Sequence, residues 1–372
     1  MLQDKSAGER KEIQMNIPDL TRLKSCMRRA EAGEELTIGF FGGSITQDSL
    51  ATKHENCYAY RVFRWWEETF PKAAFHYVNG GIGGTTSHYG VSRVVTDMLM
   101  YQPDFVVVDF SVNDDPNEFF QETYEGLIRK MLTWSSKPAV LLLNNVFYDT
   151  GKNAQEYHNR VGDWYHLPHV SIKDTVWPRM KAGEFTREEI TPDGLHPNDK
   201  GHGLVEAEIT TYIEQVKEHM WEDESEQPVP SAMTDNAYEN ARRLTIRESC
   251  PKLDGFRADT EEKKGHLDHF KNGWIGKKSG DLILFEIEAS CIAVQYRKTI
   301  HHPARKAELI LDGDREHSVL LDGNFDEDWG DCLYLEPVLH HGKSGRHTVE
   351  IKVLPDEYET AEPFYLMALI TA

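Results

Sequence analysis

In the stretch Leu36-Thr37-Ile38-Gly39-Phe40-Phe41-Gly42-Gly43-Ser44-Ile45-Thr46, an apolar run of strand character stops at two glycines and delivers a serine. Glycines at a strand end let the backbone turn sharply and leave the next side chain standing above the sheet. In open α/β sheets, ligands bind just outside the carboxyl ends of the strands. A hydroxyl presented there is a candidate nucleophile, provided that a base reaches it. The same residues also read as a glycine turn followed by a helix N-cap serine. This stretch alone leaves both readings open.

The chain around it alternates strand and helix patterns. After an approach segment with a helical stretch near 17–32, Leu36–Gly42 is the first strand and a helix runs over about 58–69, its aromatic face (Tyr60, Phe63, Trp66, Phe70) reading as core. Phe75–Asn79 is a second strand and leads into Gly80-Gly81-Ile82-Gly83-Gly84-Thr85-Thr86-Ser87. Those glycines leave amide N–H groups uncovered, as a phosphate loop or an oxyanion-holding loop does. The lysine of the GxxxxGK[ST] loop is missing and GxGxxG is incomplete, which favours the oxyanion reading. Helices near 90–100, 119–134 and 156–165 then alternate with strands at Asp104–Ser111, Ala139–Asn145 and about His169–Ile172, and a last helix covers about 200–221. This alternation predicts an α/β fold with a parallel sheet covered on both faces.

At Glu222 the composition turns acidic and proline-containing (Glu222-Asp223-Glu224, Pro228, Pro230), a linker signature up to Asn236. Beyond it the period becomes two, with strands expected at 282–288, 292–298, 307–311, 317–321, 348–354 and 364–370, which indicates a β-sandwich. The expected organisation is therefore a catalytic domain over 1–221, a linker over 222–236 and a sandwich domain over 237–372.

A length of 372 residues fits two domains. The net charge of −21 argues against nucleic acid and anionic membranes, since neither partner is bound without a basic face. It is compatible with a neutral sugar. Cys26, Cys57, Cys250, Cys291 and Cys332 are odd in number and widely spaced, as reduced core thiols are. With the polar start of the chain, this gives a cytoplasmic expectation. The pairs His301-His302 and His340-His341 match no standard ligand spacing and read as solvated, so no metal or other cofactor is expected.

Acyl transfer needs a nucleophile, a base, a group that orients the base, and donors for the oxyanion. Ser44, His196, Asp193 and the trio Ser44 N–H, Gly84 and Asn113 supply these roles from loops at one sheet edge. The blocks Gly42-Gly43-Ser44-Ile45-Thr46, Asn79-Gly80-Gly81-Ile82-Gly83-Gly84, Ser111-Val112-Asn113-Asp114 and Asp193-Gly194-Leu195-His196-Pro197 resemble, in this order, the SGNH (GDSL-type) hydrolases. The resemblance covers about residues 36–220 and implies a flavodoxin-like sheet and metal-free ester hydrolysis. Two positions depart from the family pattern: Gly43 stands where Gly-Asp-Ser has aspartate, and Ser111 where Gly-x-Asn-Asp has glycine.

With the sandwich attached, the chain is similar to two-domain polysaccharide acetylesterases, particularly the β-mannan acetylesterases of carbohydrate esterase family seventeen. That resemblance implies a carbohydrate-binding-module-like second domain and an acetylated oligosaccharide as substrate. Trp329, in the polar loop Asp322–Asp331, and Trp274, in Lys271-Asn272-Gly273-Trp274, either stack on a sugar face or fill the sandwich core. Other readings are a lipase- or thioesterase-like hydrolase preferring longer acyl chains, and a non-catalytic glycan-binding protein on the same fold.

Overall fold

The computed structural model describes residues 17–222, 225–265, 267–355 and 360–372. The start of the approach segment, and Asp223 and Glu224 of the linker signature, lie outside the described residues. Strands β1 (Glu35–Gly42), β2 (Ala74–Asn79), β3 (Phe105–Asp109), β4 (Ala139–Asn144) and β5 (His169–Ser171) pair in parallel in the order β2-β1-β3-β4-β5. This is the expected flavodoxin-like order, and it places the point where the strand order reverses beside β1. Helix α1 (Thr21–Glu31) precedes the strands, and α2 (Ser44–Gln47), α3 (Tyr58–Thr69), α4 (Ser87–Asp97), α5 (Glu118–Leu132), α6 (Gln155–Trp164), α7 (Val176–Lys181) and α8 (Asp199–Glu218) lie between and after them.

Because successive strand residues face opposite sides, β3 divides its side chains between two cores. Phe105 and Val107 join residues of α1, α3 and α8, while Val106 and Val108 join α4, α5 and α6. Every residue of β3 and β4 is buried, which is why both read as continuous apolar runs.

The C-terminal part contains β6 (Arg242–Leu244), β7 (Lys252–Asp254), β8 (Arg257–Ala258), β9 (Trp274–Gly276), β10 (Leu282–Ala289), β11 (Ile292–Lys298), β12 (Lys306–Leu311), β13 (Val319–Asp322), β14 (Cys332–Leu339), β15 (Gly345–Val353) and β16 (Phe364–Thr371). They form two antiparallel sheets, β13-β12-β15-β10-β7 and β14-β11-β16-β9-β8, with β6 added on β16. Between the sheets, Phe285, Val349 and Ile351 meet Val294, Tyr296 and Leu366. Pro337 lies within β14, an edge strand, where proline is tolerated, and the pairing with β11 shifts register just beyond it.

The sandwich does not stand apart. The outer face of its second sheet, through Ala293, Tyr365, Met367 and Ile370, packs into the same core as Tyr89 and Val94 of α4 and Leu127 of α5. Residues 225–236, expected as a linker, are fastened along α5 and α6. Arg129 donates to Pro230 O at 2.9 Å, Trp164 Nε1 to Ser231 O at 2.8 Å, and the buried Glu125 carboxylate accepts from the Met233 and Thr234 amides at 2.6 and 2.8 Å. Cys26, Cys57, Cys291 and Cys332 are buried free thiols, whereas Cys250 is exposed. Among the described residues, no helix is long and apolar enough to cross a membrane.

Two buried histidines make this packing sensitive to acid. On α8, His202 accepts the Tyr58 N–H at Nδ1 (3.3 Å), so its proton sits on Nε2, 3.2 Å from Ser49 O. Burial pushes its pKa down to about 4. His88, enclosed by the Phe119 and Tyr238 rings, is pushed down to about 3 by burial and by nearby His340. In the unfolded chain both titrate near an ordinary value of about 6.5. Between about pH 6.5 and 4 the unfolded state therefore binds protons that the folded state refuses, and stability falls as pH falls, by about 1.4 kcal/mol per pH unit per histidine. The urea midpoint measured across this window should drop on acidification, and His202→Gln should reduce the slope by about one proton; an unchanged slope would refute the assignment.

Candidate active site

The site grows from the carboxyl end of β1, where the chain turns through Gly42 and Gly43 into α2. There is no room for side chains here. A Cβ on Gly42 would lie 2.4 Å from both Asp109 O and Thr46 Oγ1, and one on Gly43 would lie 2.1 Å from Asn113 Oδ1. A side chain at position 43 would therefore meet the Asn113 amide and displace it from where it lies here. The turn leaves Ser44 as the first residue of α2, 8% exposed.

Ser44 Oγ lies 2.8 Å from His196 Nε2, and His196 Nδ1 lies 2.7 Å from Asp193 Oδ2. The aspartate reaches its own neighbour because Gly194, at φ +79°, folds the loop back; Asp193 Oδ1 then accepts the Leu195 and His196 amides at 2.9 and 2.8 Å. Partial burial works to raise the Asp193 pKa, but the His196 ring and the two amides outweigh it and hold it at about 2. The carboxylate is therefore ionised at neutral pH and fixes the Nδ1–H tautomer, leaving Nε2 to accept a proton from Ser44.

The loop after β2 passes against the serine. A Cβ on Gly83 would lie 3.6 Å from Ser44 Cβ, and Gly84 follows at φ +67°. Its course is set by Ile82 N donating to Gly42 O (3.1 Å) and Gly83 N to Gln47 Oε1 (2.5 Å). The structure thus brings Ser44, Gly84, Asn113, Asp193 and His196 to one edge of the sheet.

Several further residues support the site. Asp114 Oδ1 accepts Ser87 N at 2.8 Å, tying the Asn113 loop to the start of α4 just beyond Gly84, and its other oxygen meets the buried His158 Nε2 at 3.0 Å. His158 in turn stacks on Tyr124 at 3.8 Å. Asp114 ends the Ser-Val-Asn-Asp block and was visible there; His158 was not, since a histidine on an amphipathic helix looks like any other polar residue. Ser111, at the second departure from the family pattern, is fully buried with its hydroxyl 3.2 Å from Asp109 Oδ1 and 3.1 Å from Asn145 O, and its one proton goes to one or the other. Asp109 also accepts from Asn145 Nδ2 at 2.8 Å, while burial lifts its pKa to about 6.

The two candidate sugar-contacting tryptophans separate cleanly. Trp274 is 1% exposed and packs edge-on against Phe285 between the sandwich sheets, so it is a core residue and not a substrate contact. Trp329 is 53% exposed, and the edge of its indole lies 3.4 Å from where a Cβ on Gly84 would sit. Its Nε1 donates to Glu327 at 2.5 Å, its ring meets Phe325 edge-on, and His302 Nε2 donates to Phe325 O at 2.8 Å, holding the loop. Among the described residues, the one cluster of three possible metal ligands shares no residue with this site.

A parallel sheet in flavodoxin order with serine, histidine and aspartate linked at its carboxyl edge defines a serine-type carboxylic ester hydrolase. The chain belongs to the GDSL-like lipase/acylhydrolase family, whose model matches residues 40–204. Over both of its parts it is similar to a crystal structure of a two-domain esterase (CEX) active on acetylated mannans, at 50% identity and a TM-score of 0.93, covering 96% of each chain. The same esterase co-crystallized with mannopentaose superposes with a TM-score of 0.92 at 50% identity, covering 96% of this chain and 95% of that one. A comparison with curated protein sequences found no match.

Because Asn113 fills the space beside Gly43, Gly43→Ala should displace its amide and lower kcat on an acetyl ester by about 10²–10³, the usual loss of one oxyanion donor, with KM little changed. Steady-state kinetics on the folded variant check this, and an unaltered kcat would show that Asn113 has no such part.

Proposed function

We propose that the protein is a serine esterase that removes O-acetyl groups from mannan-type oligosaccharides. The observation that carries this reading is the 50% identity, extended through both domains, to an esterase active on acetylated mannans. The hydrogen-bonded chain Ser44–His196–Asp193 supports the mechanism.

Ser44 Oγ attacks the acetyl carbonyl carbon while His196 Nε2 takes the hydroxyl proton. The oxyanion is held by the Ser44 and Gly84 N–H groups and the Asn113 amide, each such donor contributing typically about 2.7–4 kcal/mol to lowering the barrier. Collapse breaks the bond to the sugar oxygen, which receives the proton from His196, and leaves acetyl-Ser44. Water, deprotonated by His196, then attacks the acyl-enzyme; acetate departs and the proton returns to Ser44 Oγ. Asp193 stays ionised and stabilises the imidazolium formed in each half-reaction. Trp329, standing over Gly84, offers an aromatic face to the sugar that carries the acetyl group.

Release of acetate from acetylated manno-oligosaccharides, followed by NMR, tests the reading. Ser44→Ala should lower kcat by about 10⁴–10⁶ on both oligosaccharide and nitrophenyl acetate; retained turnover would remove the mechanism. Trp329→Ala should raise KM for the oligosaccharide by roughly tenfold, the value of one stacked ring, while the small ester is hydrolysed as before. Equal KM values for the oligosaccharide would show that the indole does not contact the glycan.

A further inference from the structure

The seam between the parallel-sheet layer and the sandwich holds a polar cluster that ester hydrolysis does not use. Glu122 on α5 points its side chain, 6% exposed, toward the turn after β14, where His340 and His341 follow Leu339. His341 Nε2 lies 2.8 Å from Glu122 Oε2, and one ligating atom from each of Glu122, His340 and His341 lies within 4.8 Å of the other two. The histidine pair, expected to be solvated, is therefore engaged across the seam.

The surroundings hold these groups in place. Ala237 N donates to the other Glu122 oxygen at 2.9 Å, and Tyr238 OH sits 2.8 Å from His340 Nδ1. His341 adopts a left-handed φ of 50°, and its amide donates to Cys291 Sγ at 3.4 Å. That conformation is uncommon outside glycine, and here it turns two consecutive imidazoles toward one carboxylate.

The geometry points to a binding site for a divalent transition ion, zinc by its ligand chemistry, formed by Glu122, His340 and His341 with water as fourth ligand. Two imidazoles and a carboxylate are a ligand set that zinc accepts. In a tetrahedral zinc site with bonds of about 2.0–2.1 Å, neighbouring ligand atoms stand roughly 3.3 Å apart, so the His341–Glu122 pair opens slightly and His340 closes by side-chain rotation. Both histidines are exposed and give the ion access from solvent, while the buried carboxylate supplies negative charge. The Ala237 amide and Tyr238 hydroxyl act as outer partners that orient the ligands. Because Glu122 belongs to the parallel-sheet layer and the histidines to the sandwich, the ion bridges the two parts, and binding to the folded chain alone stabilises it.

Protein treated with a chelator and then titrated with zinc chloride should take up one ion per chain by calorimetry and elemental analysis. Its unfolding midpoint should rise by roughly 2–5 °C at a hundredfold excess over Kd. The double variant His340→Ala/His341→Ala, verified as folded by its cooperative unfolding transition and its acetate release, should lose both the bound ion and the shift. Failure of the unaltered protein to retain zinc would overturn the assignment, as would equal binding by the double variant.

Discussion

The ends of β1 and β2 are held together beside Ser44 by backbone hydrogen bonds and by one buried guanidinium that spans them. Arg93, on α4, has no exposure to solvent. It donates through Nη1 to Gly80 O at 2.6 Å and through Nη2 to Gly42 O at 3.1 Å, and it lies over the Phe41 ring at 4.2 Å. Burial lowers its pKa, and Asp97, 3.2 Å away, works in the opposite direction. Its Nε has no partner among the described residues. Burying a cation this deeply is unfavourable unless it meets groups that themselves need a donor. Gly42 and Gly80 supply carbonyls at the strand ends, the Gly42 oxygen accepting both the Ile82 amide and the guanidinium.

That tie works only because backbone meets backbone nearby. A Cβ on Gly81 would lie 2.4 Å from Gln47 N, as close as the clash at Gly42. Gly81 is thus required by the close crossing of β1's exit with the loop after β2, and Gly42 and Gly43 by the approach of the end of β3 and the Asn113 side chain, and the nucleophile's position is a result of both. The same logic accounts for Ser111. A glycine there would lack the hydroxyl that lies between Asp109 Oδ1 and Asn145 O beneath the Asn113 loop.

How much of this could be read from the chain depends on how local each interaction is. The sheet was legible because β3 and β4 are buried on both faces and so are continuously apolar, and Asp193 with His196 because they stand only three positions apart. Ser44, Gly84 and Asn113 were legible as strand-end residues in a fixed order. Arg93 was not, since an arginine on an amphipathic helix ordinarily points to solvent. Trp274 and Trp329 both stand beside glycine and polar residues, and only the sheet pairing shows that one closes a core while the other projects from a loop. His340 and His341 gain meaning only through Glu122, more than two hundred residues earlier.

The shared core bears on what the C-terminal part contributes. A tethered module would have one buried face and a free linker, but β16 is buried at all eight positions because its second face rests on α4 and α5. The segment 225–236 is bound along α5, and His341 meets Glu122 on the same helix. Three contacts of different kinds therefore converge on the α4–α5 face, and α4 is also the helix that carries Arg93 and begins just beyond Gly84. Trp329 reaches the Gly84 loop from a sheet anchored on that same helix, so the distance between the aromatic ring and the serine is set by packed side chains. Movement of the sandwich as a body relative to the parallel sheet would have to break an apolar core.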